Sequence, residues 1–272
     1  TMKRINLKTK EDILKFGVKK FIEECRKTCT DNMKEMNKEF IRVGVWMDFE
    51  NAYQTIAPEW TESVWWLVKT AHEKGRLYEG ERALHWCPNC ESALAKHELE
   101  YKDLTDMSIY MKFQLKGAKN EYMIIWTTTP WTTPLNLSVV VHPEFDYVKC
   151  KVGDEIWIVA KKLAKEVINK YAKKEFEIVE TFKGAKLKGK EYIPLFDKEF
   201  PELERRKKEQ PLYKIILSKE HVHLDEGTGI VHLAPGCGDS NYDLCIVNGV
   251  KPFNVIDTKG RYPLDHPTFK GW

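Results

Sequence analysis

Apolar residues in the first third of the chain recur at three- and four-residue steps. From Lys10 to about Lys27 the series Ile13, Leu14, Phe16, Val18, Phe21, Ile22 and Cys25 predicts a helix. Pro58 occupies the favoured first-turn position of a second helix. The stripe Trp60, Val64, Leu67, Val68 and Ala71 predicts its core-facing side, and Gly75 its stop. Beyond Gly80 the rhythm changes. His85-Trp86-Cys87-Pro88-Asn89-Cys90 reads as a tight turn between short strands. Strand-like runs follow at 108–115, 122–126, 138–141, 147–152 and 155–160, separated by glycine and lysine turns. A helix over about 161–173 interrupts them, and further strands are predicted at 175–180, 213–217 and 229–233. The charged run Glu204 to Glu209 reads as a solvated loop. The expected fold class is α+β: a helical region at 1–80, a connector at 81–106, and a β-barrel-like domain at 107–272 around a closed or nearly closed sheet.

Composition narrows the function classes. The 272 residues include 42% hydrophobic side chains and nine tryptophans, enough for a packed core. The net charge is only +3, from 44 basic and 41 acidic residues, so any nucleic-acid contact must come from local patches. No apolar run reaches the roughly 18 residues of a membrane span, and no signal-peptide core follows the start. Seven cysteines, with motif spacing only at Cys87 and Cys90, suit a reducing cytoplasm better than a disulfide scaffold.

Two segments could carry chemistry. Trp126 to Thr132 reads W-T-T-T-P-W-T at the end of an apolar strand. Hydroxyls there are costly to desolvate unless something hydrogen-bonds them, such as a water and a polar substrate. Alternatively, threonine simply suits a pleated edge. The second segment runs from Gly227 to Asp243. A strand delivers His232, a Pro-Gly-x-Gly turn follows, and Asp239 or Ser240 is placed to cap a helix. No serine or cysteine is read as standing beside a partner base. Cys87-Pro88-Asn89-Cys90 is half of a zinc knuckle. Structural zinc needs four ligands, so either His85 or His97 completes the set or the turn holds two free thiols.

Together, W-T-T-T-P-W-T and G-T-G-I-V-H-L-A-P-G resemble the editing domain of the isoleucyl-tRNA synthetases. Asn136, Val140-Val141-His142-Pro143, Leu187-Lys188-Gly189, Tyr192 and Pro194 agree. Upstream, Tyr53-Gln54-Thr55, Pro58-Glu59, Glu62-Ser63-Val64-Trp65-Trp66 and the Cys-x-x-Cys pair resemble the segment leading into that domain. Thr129-Pro130-Trp131 stands where valyl and leucyl relatives carry T-T-R-P. The resemblance implies hydrolysis of mischarged valyl-tRNA(Ile) after transfer, and of valyl-adenylate before it. By position, Thr127 and Thr128 would hold the terminal adenosine and ester, and Thr129 would help place the attacking water. Trp131 would wall the pocket, with Thr132 and His232 excluding the extra methylene of isoleucine. Asn241 stands where the family has an aspartate for the substrate ammonium. A neutral amide binds it more weakly unless Asp239 or Asp243 takes over.

The resemblance also places residues 1–80 in the synthetase catalytic domain and makes the acylated 3′ end of tRNA(Ile) and the remainder of the synthetase the partners. No activation motif of the H-I-G-H or K-M-S-K-S kind is present, so ATP use belongs to a longer enzyme of which this chain reads as a piece. Editing itself is expected to need no cofactor. The rival reading is a noncatalytic module that binds the tRNA 3′ end and has impaired editing.

Overall fold

The computed structural model describes residues 1–271, apart from the Asp197 side chain. They form two compact units, divided after Gly80.

The first unit holds three helices: α1 (Lys10–Phe16), α2 (Val18–Arg42) and α3 (Pro58–Glu73). A capping box starts α1. Thr9 Oγ1 accepts the Asp12 N–H (3.1 Å) and the Asp12 carboxylate accepts the Thr9 N–H (2.9 Å). The single helix expected from Lys10 breaks at Gly17, whose φ of +100° lies outside the helical region. Helix α2 then runs well past Lys27, over a stretch of good helix formers that includes the Glu35–Lys38 pair (2.7 Å). The core stripe expected on α3 is not formed. No residue of that helix is buried, and Leu67 is 62% exposed. Three helices without a second layer inside the unit leave the stripe nothing to pack on.

The second unit opens with a hairpin, β1 (Trp86–Cys87) and β2 (Ser92–Ala93), around the Cys-x-x-Cys turn. Stretch 81–106 is tied to later residues. The Trp86 indole donates to Thr258 O (2.8 Å), and the Thr258 hydroxyl donates to Glu91 (2.6 Å). Then come β3 (Ile109–Leu115), β4 (Glu121–Thr127), β5 (Ser138–Val141), β6 (Asp146–Val152), β7 (Glu155–Ala160), β8 (Glu177–Lys183) and β9 (Tyr192–Ile193). After α4 (Pro201–Arg206) follow β10 (Ile215–Leu217), β11 (Ile230–Leu233) and α5 (Asp239–Val247). The helical segment expected over 161–173 is present from Lys161 to Tyr171, as a 3₁₀ turn running into a π-helical turn at Glu166–Tyr171. Helix α4 takes the start of the run read as a loop.

The fold is α+β, but its sheets are open. Six strands lie in the order β8-β6-β7-β4-β3-β9, and three in the order β10-β5-β11. The barrel expected from sequence is therefore not closed. The edge strands β8 and β9 do not pair with each other, β9 meets β3 through two residue pairs, and β5 belongs to the other sheet. Met111, Phe113 and Leu115 alternate inward along β3, and β5, the middle strand of its sheet, is buried at all four positions.

Tyr147 pins the two sheets together. Its buried hydroxyl donates to Gly229 O (2.6 Å) and accepts the His142 N–H (3.0 Å), and burial pushes the phenol up to about 12. Gly229 has φ +73°, and a Cβ on it would lie 2.4 Å from Ala160 Cβ, so only glycine fits. Tyr147→Phe strands one buried donor and one buried acceptor. The expected cost is about 2 kcal/mol, read as a lower urea midpoint at unchanged slope.

Candidate functional site

Strand β4 delivers Thr127 to a buried position at its end. Pro130, which has no N–H to place, then starts a 3₁₀ turn over Pro130–Leu135 that swings Thr132 and Thr133 inward. From the neighbouring sheet, β11 presents His232, itself buried and paired in register with Val139 of β5. The two elements meet in one hydrogen-bonded cluster. Thr127 Oγ1 accepts the Thr129 N–H (3.1 Å) and lies 3.2 Å from Thr129 Oγ1. Thr129 Oγ1 lies 3.3 Å from Thr132 Oγ1, and Thr132 Oγ1 lies 3.1 Å from His232 Nε2.

One proton arrangement satisfies every contact. Thr132 donates its only hydroxyl hydrogen to Thr129 O, 2.8 Å away. Toward His232 it must therefore accept, which assigns the hydrogen of a neutral imidazole to Nε2. Thr127 then donates to Thr129, and Thr129 to Thr132. Every hydroxyl hydrogen is used, while lone pairs remain on Thr127 and Thr129. His232 Nδ1 is left as a buried acceptor with no partner among the described residues. Desolvation pushes the imidazole down to about 4, so the cluster is uncharged at neutral pH.

The remaining sequence-predicted residues do not join the hydrogen bonds of this cluster. Thr128 is exposed. Trp131 is half exposed and lines an apolar cavity of about 600 Å³ with Ile109, Pro134 and Tyr262. The cap expected from Asp239 or Ser240 is not made. Gly238 is the N-cap residue of α5, no side chain closes it, and Asp239 begins the helix. Asp239 instead lies 3.6 Å from Arg82 Nε. Asn241 sits in the first turn with its amide over Gly238, and Asp243 is exposed.

Three groups escape sequence reasoning. The Tyr262 hydroxyl donates to Trp131 O (2.7 Å) from 131 residues away, and Thr133 Oγ1 is buried without a hydrogen-bond partner among the described residues. The third corrects an expectation: a serine–base pair does exist, with Ser218 Oγ 2.8 Å from His221 Nδ1. The same hydroxyl accepts the Glu220 N–H, so the pair closes a local turn after β10. Cys237 offers no better nucleophile, since burial pushes its thiol up to about 11.

At the hairpin, Cys87 Sγ accepts the Cys90 N–H (3.3 Å), which lowers the Cys87 thiol. No group of three or more His, Cys, Asp or Glu side chains gathers into a metal set among the described residues. Neither His85 nor His97 completes four ligands, and two thiols alone do not fit a structural zinc.

Residues 2–188 match the model of the class I tRNA synthetases (I, L, M and V), and the chain belongs to that family. Within it, the similarity runs to isoleucine enzymes. The isoleucine–tRNA ligase of Pyrococcus horikoshii is 46% identical over 266 residues, 95% of this chain and 25% of that one. That of Methanocaldococcus jannaschii is 44% identical over 273 residues, 94% of this chain and 26% of that one. The chain thus spans about a quarter of the length of these relatives. The solved editing domain of the P. knowlesi cytosolic leucyl-tRNA synthetase superimposes with a TM-score of 0.38 at 11% identity, over 53% of this chain and 64% of that one. No helix among the described residues is long and apolar enough to cross a membrane.

Proposed function

We propose that the second unit hydrolyses valyl-tRNA(Ile), and valyl-adenylate before transfer, as the editing part of a cytoplasmic isoleucyl-tRNA synthetase. Isoleucine activation needs such a step. One missing methylene is worth only about 1–3 kcal/mol of discrimination, a limit for which isoleucine against valine is itself the standard illustration. The observation that carries the reading is the uncharged run of hydroxyls from Thr127 to His232, with its hydrogens spent inward and its lone pairs left over. Such a surface accepts the hydrogens of a water and leaves the water's own lone pair for attack. The water oxygen bonds to the ester carbonyl carbon, the bond to the ribose oxygen breaks, and a water proton ends on that ribose oxygen. Positioning by Thr127 and Thr129 supplies the rate enhancement, Thr128 and Trp131 flank the substrate, and Thr132 and His232 bound the side-chain pocket. No cofactor takes part in this step; ATP serves activation elsewhere in the longer enzyme.

Asn241 favours a second reading, a module that binds the acylated 3′ end of the tRNA and releases it slowly. An amide accepts from the substrate ammonium without charge assistance. Asn241→Asp is expected to raise the deacylation rate of valyl-tRNA several-fold, measured as released valine. An unchanged rate places the ammonium elsewhere, on Asp239 or Asp243. A chain that shifts tRNA on a gel yet frees no valine, with or without the substitution, is the binder and not the hydrolase.

A further inference from the structure

Strand β3 turns two faces to two different surroundings. Ile109 and Met111 point one way; Tyr110 and Lys112 point the other, into a cleft of about 330 Å³ shared with Ile124, Trp157, Tyr171 and Lys174. The cleft is built from rings with ammonium groups set over them. Tyr110 and Tyr171 stack with centroids 5.4 Å apart and remain 37% and 49% exposed. Lys174 Nζ stands 5.2 Å over the Trp157 ring, and Lys112 Nζ 4.9 Å over Tyr122.

The rings are held before anything binds. The Trp157 indole donates to one oxygen of Glu155 (2.7 Å), and Lys112 donates to the other (2.7 Å). The Tyr171 hydroxyl donates to Glu166 (3.1 Å), which also takes Lys170 (2.8 Å). Both carboxylates are engaged in fixing rings and lysines. What remains is an apolar floor, aromatic faces and the Lys174 ammonium, with the Glu226 carboxylate also acting on Tyr110. That set recognises a ligand with one flat π-face next to a negative charge, which is a nucleotide.

Register says which nucleotide. Tyr110 pairs with Trp126, and the next pair toward the strand end is Ile109 with Thr127. Tyr110 and Thr127 thus stand one register step apart, on opposite faces of the sheet. We propose that this cleft stacks an unpaired nucleotide of the RNA whose esterified end reaches Thr127. The inference rests on the proposed function for its partner and adds a second anchoring point on the other face of the sheet. The RNA strand rounds the end of β3 and β4, its terminal nucleotide at the threonines and a preceding base against Tyr110 and Tyr171.

The test uses the whole 272-residue chain and three probes: a single-stranded RNA hexamer, uncharged tRNA, and adenosine monophosphate. Tyr110→Ala with Tyr171→Ala is expected to weaken hexamer and tRNA binding about 10-fold or more, the usual effect of removing one stacked base. Tyr110→Phe with Tyr171→Phe keeps the faces and should bind within about 2-fold of the parent. The monophosphate should bind at least about 10-fold more weakly than the hexamer. Lys174→Gln should lower the slope of log affinity against log salt by about 0.7, one phosphate contact on a single strand. The inference is overturned if the alanine pair binds both RNAs as the parent does. It is equally overturned if the phenylalanine pair fails like the alanine pair, or if the monophosphate matches the hexamer. Should the alanine pair not fold, the Lys174→Gln slope decides, and an unchanged slope overturns it. Hydrolysis of a minimal valyl ester of adenosine has no preceding base and should be the same in all these chains. A parent chain inert toward that ester yet sensitive to the tyrosines in RNA binding would sink the hydrolysis reading and leave the stacking site standing.

Discussion

Thr132→Val is expected to cut valyl-tRNA hydrolysis by roughly 10- to 100-fold while leaving the shape of the side chain almost unchanged. The hydroxyl it removes is the node of the cluster. It donates to Thr129 O and meets both Thr129 Oγ1 and His232 Nε2. Without it, the buried imidazole has no partner on either nitrogen, because Nδ1 is already unpaired. Stranding a buried donor costs about 1–3 kcal/mol, so urea unfolding should register the same change. Thr132→Ser restores the hydroxyl and should recover most of both losses. A valine variant that frees valine at the parent rate would show that the cluster is structural only.

Acid should weaken the second unit through His232. The imidazole titrates near 4 in the folded chain, against about 6.5 when unfolded, because burial penalises the cation. The unfolded chain therefore binds a proton first. The contribution is complete above pH 6.5 and is lost progressively as pH falls toward 4. Its size is about 3 kcal/mol, from roughly 2.5 pH units at 1.36 kcal/mol each. Urea midpoints at pH 7.5, 5.5 and 4 should fall for the parent chain. They should fall distinctly less for His232→Gln, which carries no titrating group there. Surface carboxylates such as Glu155 and Glu166 are also held low by their lysines, and they act equally in both chains. Parallel curves for the two chains would show that His232 is not the group responsible.

Local patterns were legible where one physical cause dominates. The alternation along Ile109–Leu115 and the apolar run ending at Thr127 announce strands, because period and burial agree there. The hydroxyl tract and the strand histidine were each visible as polar groups in apolar surroundings. Which threonine joins the imidazole was not. That depends on the 3₁₀ turn begun by Pro130, which buries Thr132 and leaves Thr128 outside. Sheet closure was not legible either, since it hangs on whether two edge strands meet. The stripe on α3 shows the reverse error: apolar spacing says which face would be buried, and says nothing about whether a partner layer is supplied. Tyr262 left no local mark, because it reaches the site from 131 residues away, through a hydrogen bond to a carbonyl and the lining of the Trp131 cavity.

Thr132 and His232 are 100 residues apart, and β11 is the last strand in sequence among the described residues. As the polypeptide leaves the ribosome, the threonine half emerges long before the histidine half. Until Leu233 is out and β11 has zipped onto β5, the nascent protein carries hydroxyls with no imidazole to organise them. The hydroxyl–imidazole cluster is thus incomplete until β11 has paired with β5.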